Sequence, residues 1–188
     1  GSESLIEVTM YATDAQELYA KCEPKRFHFL DRARDASRLT IPSLVVDEGH
    51  TSSSRLPTPY QSVGARGVNN MASALLLSLL PPNSPFFRLV LDQSALNELE
   101  GQMNGADLKT DFEASLAKIE RAVSQEIETQ AYRVSVFEAL KHLIVAGNVL
   151  IHVTNIGEMR VIPLDRFVVK RCPLGKVRYL VTKESISP

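Results

Sequence analysis

The chain has 188 residues, enough for one domain that buries most of its apolar surface without disulfide or metal support. Hydrophobic residues make up 44% and charged residues 23%, which excludes general disorder and collagen-like repeats. The net charge of −1 excludes bulk attraction to nucleic acid, so contacts of that kind must come from local clusters.

The charge is distributed unevenly. Residues 1–20 carry −4, residues 21–38 carry +3 (six basic, three acidic) and residues 39–91 carry +1. Residues 92–130 then carry −6 (three basic, nine acidic) and residues 131–188 carry +5 (nine basic, four acidic). An acidic middle and a basic end can attract each other within one chain or between copies. The longest apolar stretch, 72–80, contains Ser73 and Ser78 and is too short to span a bilayer. Glu3 and Glu7 stand where a secretory leader would be basic and then apolar. Cys22 and Cys172 lie far apart, which fits neither a disulfide framework nor a zinc site and points to a reducing compartment.

In chain order, residues 1–12 read as a tail. The capping box Thr13-x-x-Gln16 predicts a helix towards Arg38, broken or kinked at Pro24 and stopped by Ile41-Pro42. Asp31 with Arg34, and Asp35 with Arg38, are spaced for same-face ion pairs. Residues 43–58 have turn-forming composition and no apolar period, so they read as an exposed loop. Thr58 as N-cap, Pro59 in the first helical position and Gln61 in the third predict a helix to Leu80. Its apolar stripe is Val63, Val68, Met71, Ala72, Leu75, Leu76 and Leu79, and Pro81-Pro82 ends it.

Residues 86–91 read as a short strand and residues 92–103 as a short helix. A second capping box, Thr110-x-x-Glu113, opens a helix striped by Phe112, Leu116, Ile119, Val123 and Ile127. A turn near Gln130 leads into a helix over 132–146, with Gly147 at its C-terminal cap. The period then changes to that of strands at 149–153, 159–163, 167–171 and 176–182. Asn155-Ile156-Gly157 and Pro173-Leu174-Gly175 supply turns of an antiparallel meander. The fold class is therefore α+β: a helical part over 13–146 and a β part over 147–183. Residues 184–188 read as the start of a further element.

Catalytic patterns are missing. No G-x-x-x-x-G-K-[ST] loop occurs, and Gly64-Ala65-Arg66-Gly67 falls inside a helical pattern, where small residues admit another backbone. His28, His50, His142 and His152 have no metal-ligand spacing, and Ser62 lies in no G-x-S-x-G elbow. Glu126 and Glu128 face different directions on one helix. No enzymatic activity, metal or cofactor is expected. Lys170, Arg171, Lys176 and Arg178, with Phe167 and Tyr179 alongside, flank the last hairpin; they form a candidate charged interface or a single-strand nucleic-acid surface. A free-standing nucleic-acid-binding module using this hairpin is the second reading.

Three stretches together resemble one family. They are residues 32–43 (RARDASRLTIPS), residues 58–70 (TPYQSVGARGVNN) continuing to Pro81, and residues 132–150 (YRVSVFEALKHLIVAGNVL). Their order and spacing are similar to those in the portal protein, or head-to-tail connector, of short-tailed podovirus phages. The resemblance implies the N-terminal part of the α/β wing, with stem, clip and crown to follow. It further implies a dodecameric ring at one capsid vertex, through which double-stranded DNA is packaged and ejected. Major capsid and scaffolding proteins, terminase, and tail and internal core proteins are the implied partners, with no membrane. The implied location is the portal vertex of the virion, assembled in the host cytoplasm. On this reading Gly64, Ala65, Arg66, Gly67, Asn69 and Asn70 are candidate subunit-packing residues.

Overall fold

Pro24 decides how the chain begins. Lacking an amide donor, it cannot sit inside a continuous helix, and it opens a short 3-10 turn, Glu23–Arg26, between helix α1 (Ala12–Cys22) and helix α2 (Phe27–Leu39). The computed structural model describes residues 12–51, 53–82, 86–92, 94, 97, 101 and 105–184. Most of the tail at 1–12, most of the short helix expected at 92–103 and residues 185–188 lie outside the described residues.

The loop after α2 is irregular, as its composition predicts, but its first half is not an excursion. Leu44 and Val45 are buried. Ser37, which is fully buried, holds them in place: its hydroxyl donates to the Ile41 carbonyl at 2.8 Å and accepts from the Val45 amide at 3.1 Å. Two ion pairs, Arg34–Glu48 and Arg38–Asp47, stitch the same stretch to α2. Arg38 also pairs with Asp35 as expected, whereas Arg34 turns to Glu48 and not to Asp31.

Helix α3 (Val63–Leu79) starts four residues after the predicted Pro59. Tyr60 is fully exposed, so nothing apolar holds a turn there, and the tertiary seat of Gly64 overrides the local cap preference. Residues 86–91 form no strand. The Leu89 amide donates to the Glu120 carboxylate at 2.6 Å where a strand would need a neighbouring backbone. Helix α4 (Gly105–Thr129) already includes Thr110, so the second capping box is not used. Ala131, in the left-handed region at φ 53°, makes the corner into α5 (Tyr132–Ala146), and Gly147 at φ 72° closes α5 as predicted.

The strands are β1 (Leu150–Val153), β2 (Met159–Ile162), β3 (Phe167–Arg171) and β4 (Val177–Thr182). They stand where the period change places them, but pair as two separate antiparallel hairpins, β1–β2 and β3–β4, instead of one continuous meander. Pro163 and the 3-10 turn Leu164–Arg166 carry the chain between the hairpins and prevent β2 from pairing with β3. The core lies where α2, the start of the loop and the two hairpins meet. It comprises Leu30, Ala33, Leu44, Val45, Ile162, Leu164 and Phe167, with Val145 and Ala146 of α5 against it. Helix α3 packs along α5 away from this core. Among the described residues no helix is long and apolar enough to cross a membrane.

Candidate subunit interface

Two arginines fix the frame that carries the candidate surfaces. Arg26, with its side chain only 11% exposed, reaches from the 3-10 turn to the linker between the hairpins. It donates to the carbonyls of Leu164, Phe167 and Asp165 and to the Tyr19 hydroxyl. Tyr19 in turn donates to the Asp165 carbonyl at 3.2 Å. One guanidinium thereby satisfies acceptors that a 3-10 turn leaves without partners. Arg133 does similar work at the other corner. It donates to the carbonyls of Leu80 and Pro81 beyond α3 and pairs with Glu128 at 2.6 Å. Its hydrogen bond holds the Glu128 carboxyl below the usual carboxylate range, as the bond from Arg34 does for Glu48.

The small-residue stretch divides in two. A Cβ at Gly64 would lie 2.5 Å from the Leu39 carbonyl oxygen, so this glycine serves contact between α3 and α2 within the chain. Ala65 is half-buried. Gly67 meets nothing within 4 Å, and Arg66, Asn69 and Asn70 are exposed. Gly67 continues into an open apolar face: Met71 is 55%, Leu75 38% and Leu79 54% exposed, and residues 67–80 carry no charge. The stripe predicted for α3 is therefore split, with Val68 and Ala72 buried, Leu76 half-buried, and Val63, Met71, Leu75 and Leu79 facing outward.

At the basic hairpin, Lys170, Arg171, Lys176 and Arg178 are all exposed. The register slips by one residue between Lys170 and Arg171, leaving Arg178 as the extra residue of a bulge. Lys170 lies over the Tyr179 ring at 5.4 Å, and Arg171 donates to the Gly175 carbonyl at 3.0 Å. Phe167 is core, whereas Tyr179 is 36% exposed. The structure separates the four cations. Lys170 and Arg171 line a groove of about 1000 Å³ together with Lys25, Arg26 and Arg32, and Lys176 and Arg178 do not. The signal for the three additional cations is the +3 charge of residues 21–38, which spacing within the hairpin cannot reveal.

His142 is buried on α5, with Glu138 at 3.6 Å and its Nδ1 without a partner. Burial lowers its pKa, more than the nearby Glu138 and Asp165 raise it. Among the described residues no group of His, Cys, Asp and Glu could hold a metal ion.

Comparison with known proteins assigns these surfaces a context. The chain is 35% identical over 178 residues to the portal protein of Escherichia phage T7 and 35% identical over 177 residues to that of Enterobacteria phage T3, covering 92% of this chain in both cases. It is 31% identical over 169 residues to the portal protein of Enterobacteria phage SP6, covering 90%. The chain spans 32% of the length of each of these relatives. These relatives give no support to a free-standing nucleic-acid module. Residues 12–187 match the model for the bacteriophage head-to-tail connecting protein, and the chain belongs to that family.

Proposed function

We propose that this chain is part of a phage portal subunit, the structural element of a ring through which DNA enters and leaves the capsid. Membership of the head-to-tail connecting family over residues 12–187 carries this reading. It is supported by two surfaces exposed among the described residues: the uncharged face of α3 at Gly67, Met71, Leu75 and Leu79 and the basic face around Lys170. A subunit of a closed ring presents two different faces, each complementary to the other on its neighbour. Gly67, Asn69 and Asn70 then belong to a face available for subunit packing, with Ala65 and Arg66 at its edge, while Gly64 packs within the subunit. Lys176 and Arg178 project from the hairpin tip as a charged contact for a neighbour or for passing DNA.

The finer expectations follow the same reading: twelve copies per ring, major capsid and scaffolding proteins around it, and terminase followed by tail and core proteins. Assembly takes place in the host cytoplasm, and the ring ends at the portal vertex of the virion. Chemistry is left to other proteins, so the chain works without enzymatic activity or a cofactor. Electron microscopy of the full-length gene product carrying this chain tests the proposal. Annular particles are expected; isolated particles alone, under all assembly conditions, would refute it.

A further inference from the structure

Every residue of β3, from Phe167 to Arg171, lines the groove. Successive residues of a strand point to opposite faces, so a cleft against one face would meet only alternate residues. The groove therefore runs along the edge of β3. Hydrogen bonds at both ends of the hairpin fix which backbone groups stand on that edge. The Lys183 amide donates to the Arg166 carbonyl at 2.7 Å, and the Cys172 amide donates to the Lys176 carbonyl at 2.9 Å. In an antiparallel pair, residues bonded to the neighbouring strand alternate with residues whose N–H and C=O point away from it. With this register Val168 and Lys170 face β4, and Phe167, Val169 and Arg171 turn their backbone groups to the outer edge. Arg26 donates to the Phe167 carbonyl and closes that end. Among the described residues the backbone N–H and C=O of Val169 and Arg171 have no partner.

The two edges of this hairpin differ. The bulge at Arg178 interrupts β4, which is exposed along most of its length, and a bulged, charged strand resists further pairing. The edge of β3 is unbulged from Phe167 to Lys170 and sheltered. Phe29, 63% exposed, forms an apolar wall of the groove with Ala33 and Ala36 of α2. Lys25, Arg32, Lys170 and Arg171 line the same groove, and among the described residues no carboxylate does. Arg26 is engaged with the linker carbonyls and Glu23, whereas these four cations form no ion pair among the described residues.

A phosphate backbone has no N–H to give to the carbonyls of Val169 and Arg171, and no apolar side chain to set against Phe29. An extended polypeptide has both, and four cations without a carboxylate select an acidic one. We infer that the groove takes an extended acidic segment of another protein, which adds to the edge of β3 as a short strand. Its backbone pairs with Val169 and Arg171. Alternate side chains then go to the two sides of the new strand, apolar ones against the α2 wall and carboxylates towards the cations. At about 3.3 Å per residue the open edge is about 10 Å long, so a segment of about four to six residues covers it. The inference goes beyond the portal reading and does not depend on ring closure.

The test uses the full-length gene product and, as probe, an acetylated and amidated peptide of about seven residues in which Glu alternates with Val. Amide hydrogen exchange is read by mass spectrometry at fragment resolution. Saturating peptide is expected to slow exchange at Val169 and Arg171 by about tenfold or more, with Lys170, already paired to β4, unchanged. The same peptide with Lys in place of Glu, or N-methylated along its pairing edge, is expected to do nothing. Lys170→Glu with Arg171→Glu is expected to weaken binding by about tenfold or more. Lys25→Glu with Arg32→Glu repeats that loss away from the strand, so that a disturbed hairpin is not mistaken for lost charge. Unchanged exchange at about 1 mM peptide would overturn the inference. So would slowing by the N-methylated peptide, which would leave charge alone as the cause. Slow exchange before any peptide is added would show the edge already covered, by the rest of the chain if isolated subunits show it and by a second copy if only rings do. Protection by short-duplex DNA and not by the peptide would give the groove to nucleic acid. None of these outcomes bears on whether annular particles form, so the portal reading stands or falls separately.

Discussion

The junction of α1, α2 and the hairpins encloses an apolar core, with Phe29 and Leu39 exposed at its edge, whereas the arm, α3 and α4 each packed on α5, buries little of its apolar surface. In the junction, Leu30, Ala33, Leu44, Val45, Ile162, Leu164 and Phe167 bury one another, and Arg26 and Ser37 satisfy the backbone groups enclosed with them. In the arm, Met71, Leu75, Leu79, Phe112, Ile119 and Val123 remain at the surface. On the portal reading, these exposed side chains are the ones expected to meet other parts of the assembly. Stability is therefore concentrated in the junction, and substitutions in the two regions are expected to have different consequences.

The largest effect is expected at Arg26. Arg26→Met keeps the aliphatic stem but leaves the carbonyls of Leu164, Asp165 and Phe167 without their donor in a largely enclosed site. Loss of a buried, charge-assisted network of this kind costs about 3 kcal/mol, read as a lower urea midpoint at unchanged m-value. Next comes a pair of glycines three residues apart. Gly64→Ala forces a Cβ to within 2.5 Å of the Leu39 carbonyl, a backbone atom that cannot swing away, and is expected to destabilise by about 2 kcal/mol. Gly67→Ala meets open space on the same helix and is expected to stabilise by about 0.5–1 kcal/mol through helix propensity. Equal effects at the two positions in thermal unfolding would erase the distinction between intrachain seat and open face.

That glycine pair also shows what spacing reveals and what it hides. Periodicity located α5, the Gly147 cap, the break at Pro24 and all four strands, because these depend on local backbone preference. It could not say which side of α3 meets a neighbour, since Val68 and Met71 are equally apolar and only tertiary packing distinguishes them. Cap signals at Thr58 and Thr110 yielded to the seat of Gly64 and to a longer α4, each outweighing a preference of about 1 kcal/mol. The division of one meander into two hairpins turns on Pro163 together with a linker held by a distant arginine. The groove draws its cations from two blocks more than 130 residues apart and has no local signature at all. Recognition of the family depended on three stretches in order, and none of them carries the groove in full.

A smaller and reversible effect belongs to His142. Burial lowers its pKa in the folded chain below the value of about 6.5 expected when unfolded. The unfolded chain then binds more protons than the folded one as pH falls below about 6.5, so stability falls with pH in that window and is flat above it. Glu48 and Glu128, whose pKa values are lowered by arginine hydrogen bonds, act in the same direction but only in the ordinary carboxylate range below. Urea midpoints measured between pH 8 and pH 5 are expected to decline from about pH 6.5 downward. In His142→Gln, which removes the titrating group, the decline is expected to vanish; its persistence would assign it to other groups.

The smallest effect on folding is expected in the arm, and its smallness is the informative result. Met71→Gln with Leu75→Gln replaces two exposed side chains on the uncharged face of α3 by good helix formers. Neither residue belongs to the buried core, so the unfolding free energy of a single subunit is expected to stay within about 0.5 kcal/mol. Assembly is the quantity expected to respond. If the face packs against another surface in the ring, the same double substitution in the full-length gene product removes apolar contact there, and sedimentation shifts towards smaller species. A loss of subunit stability comparable to that of Gly64→Ala would instead place Met71 and Leu75 inside the folded unit and merge the two regions into one.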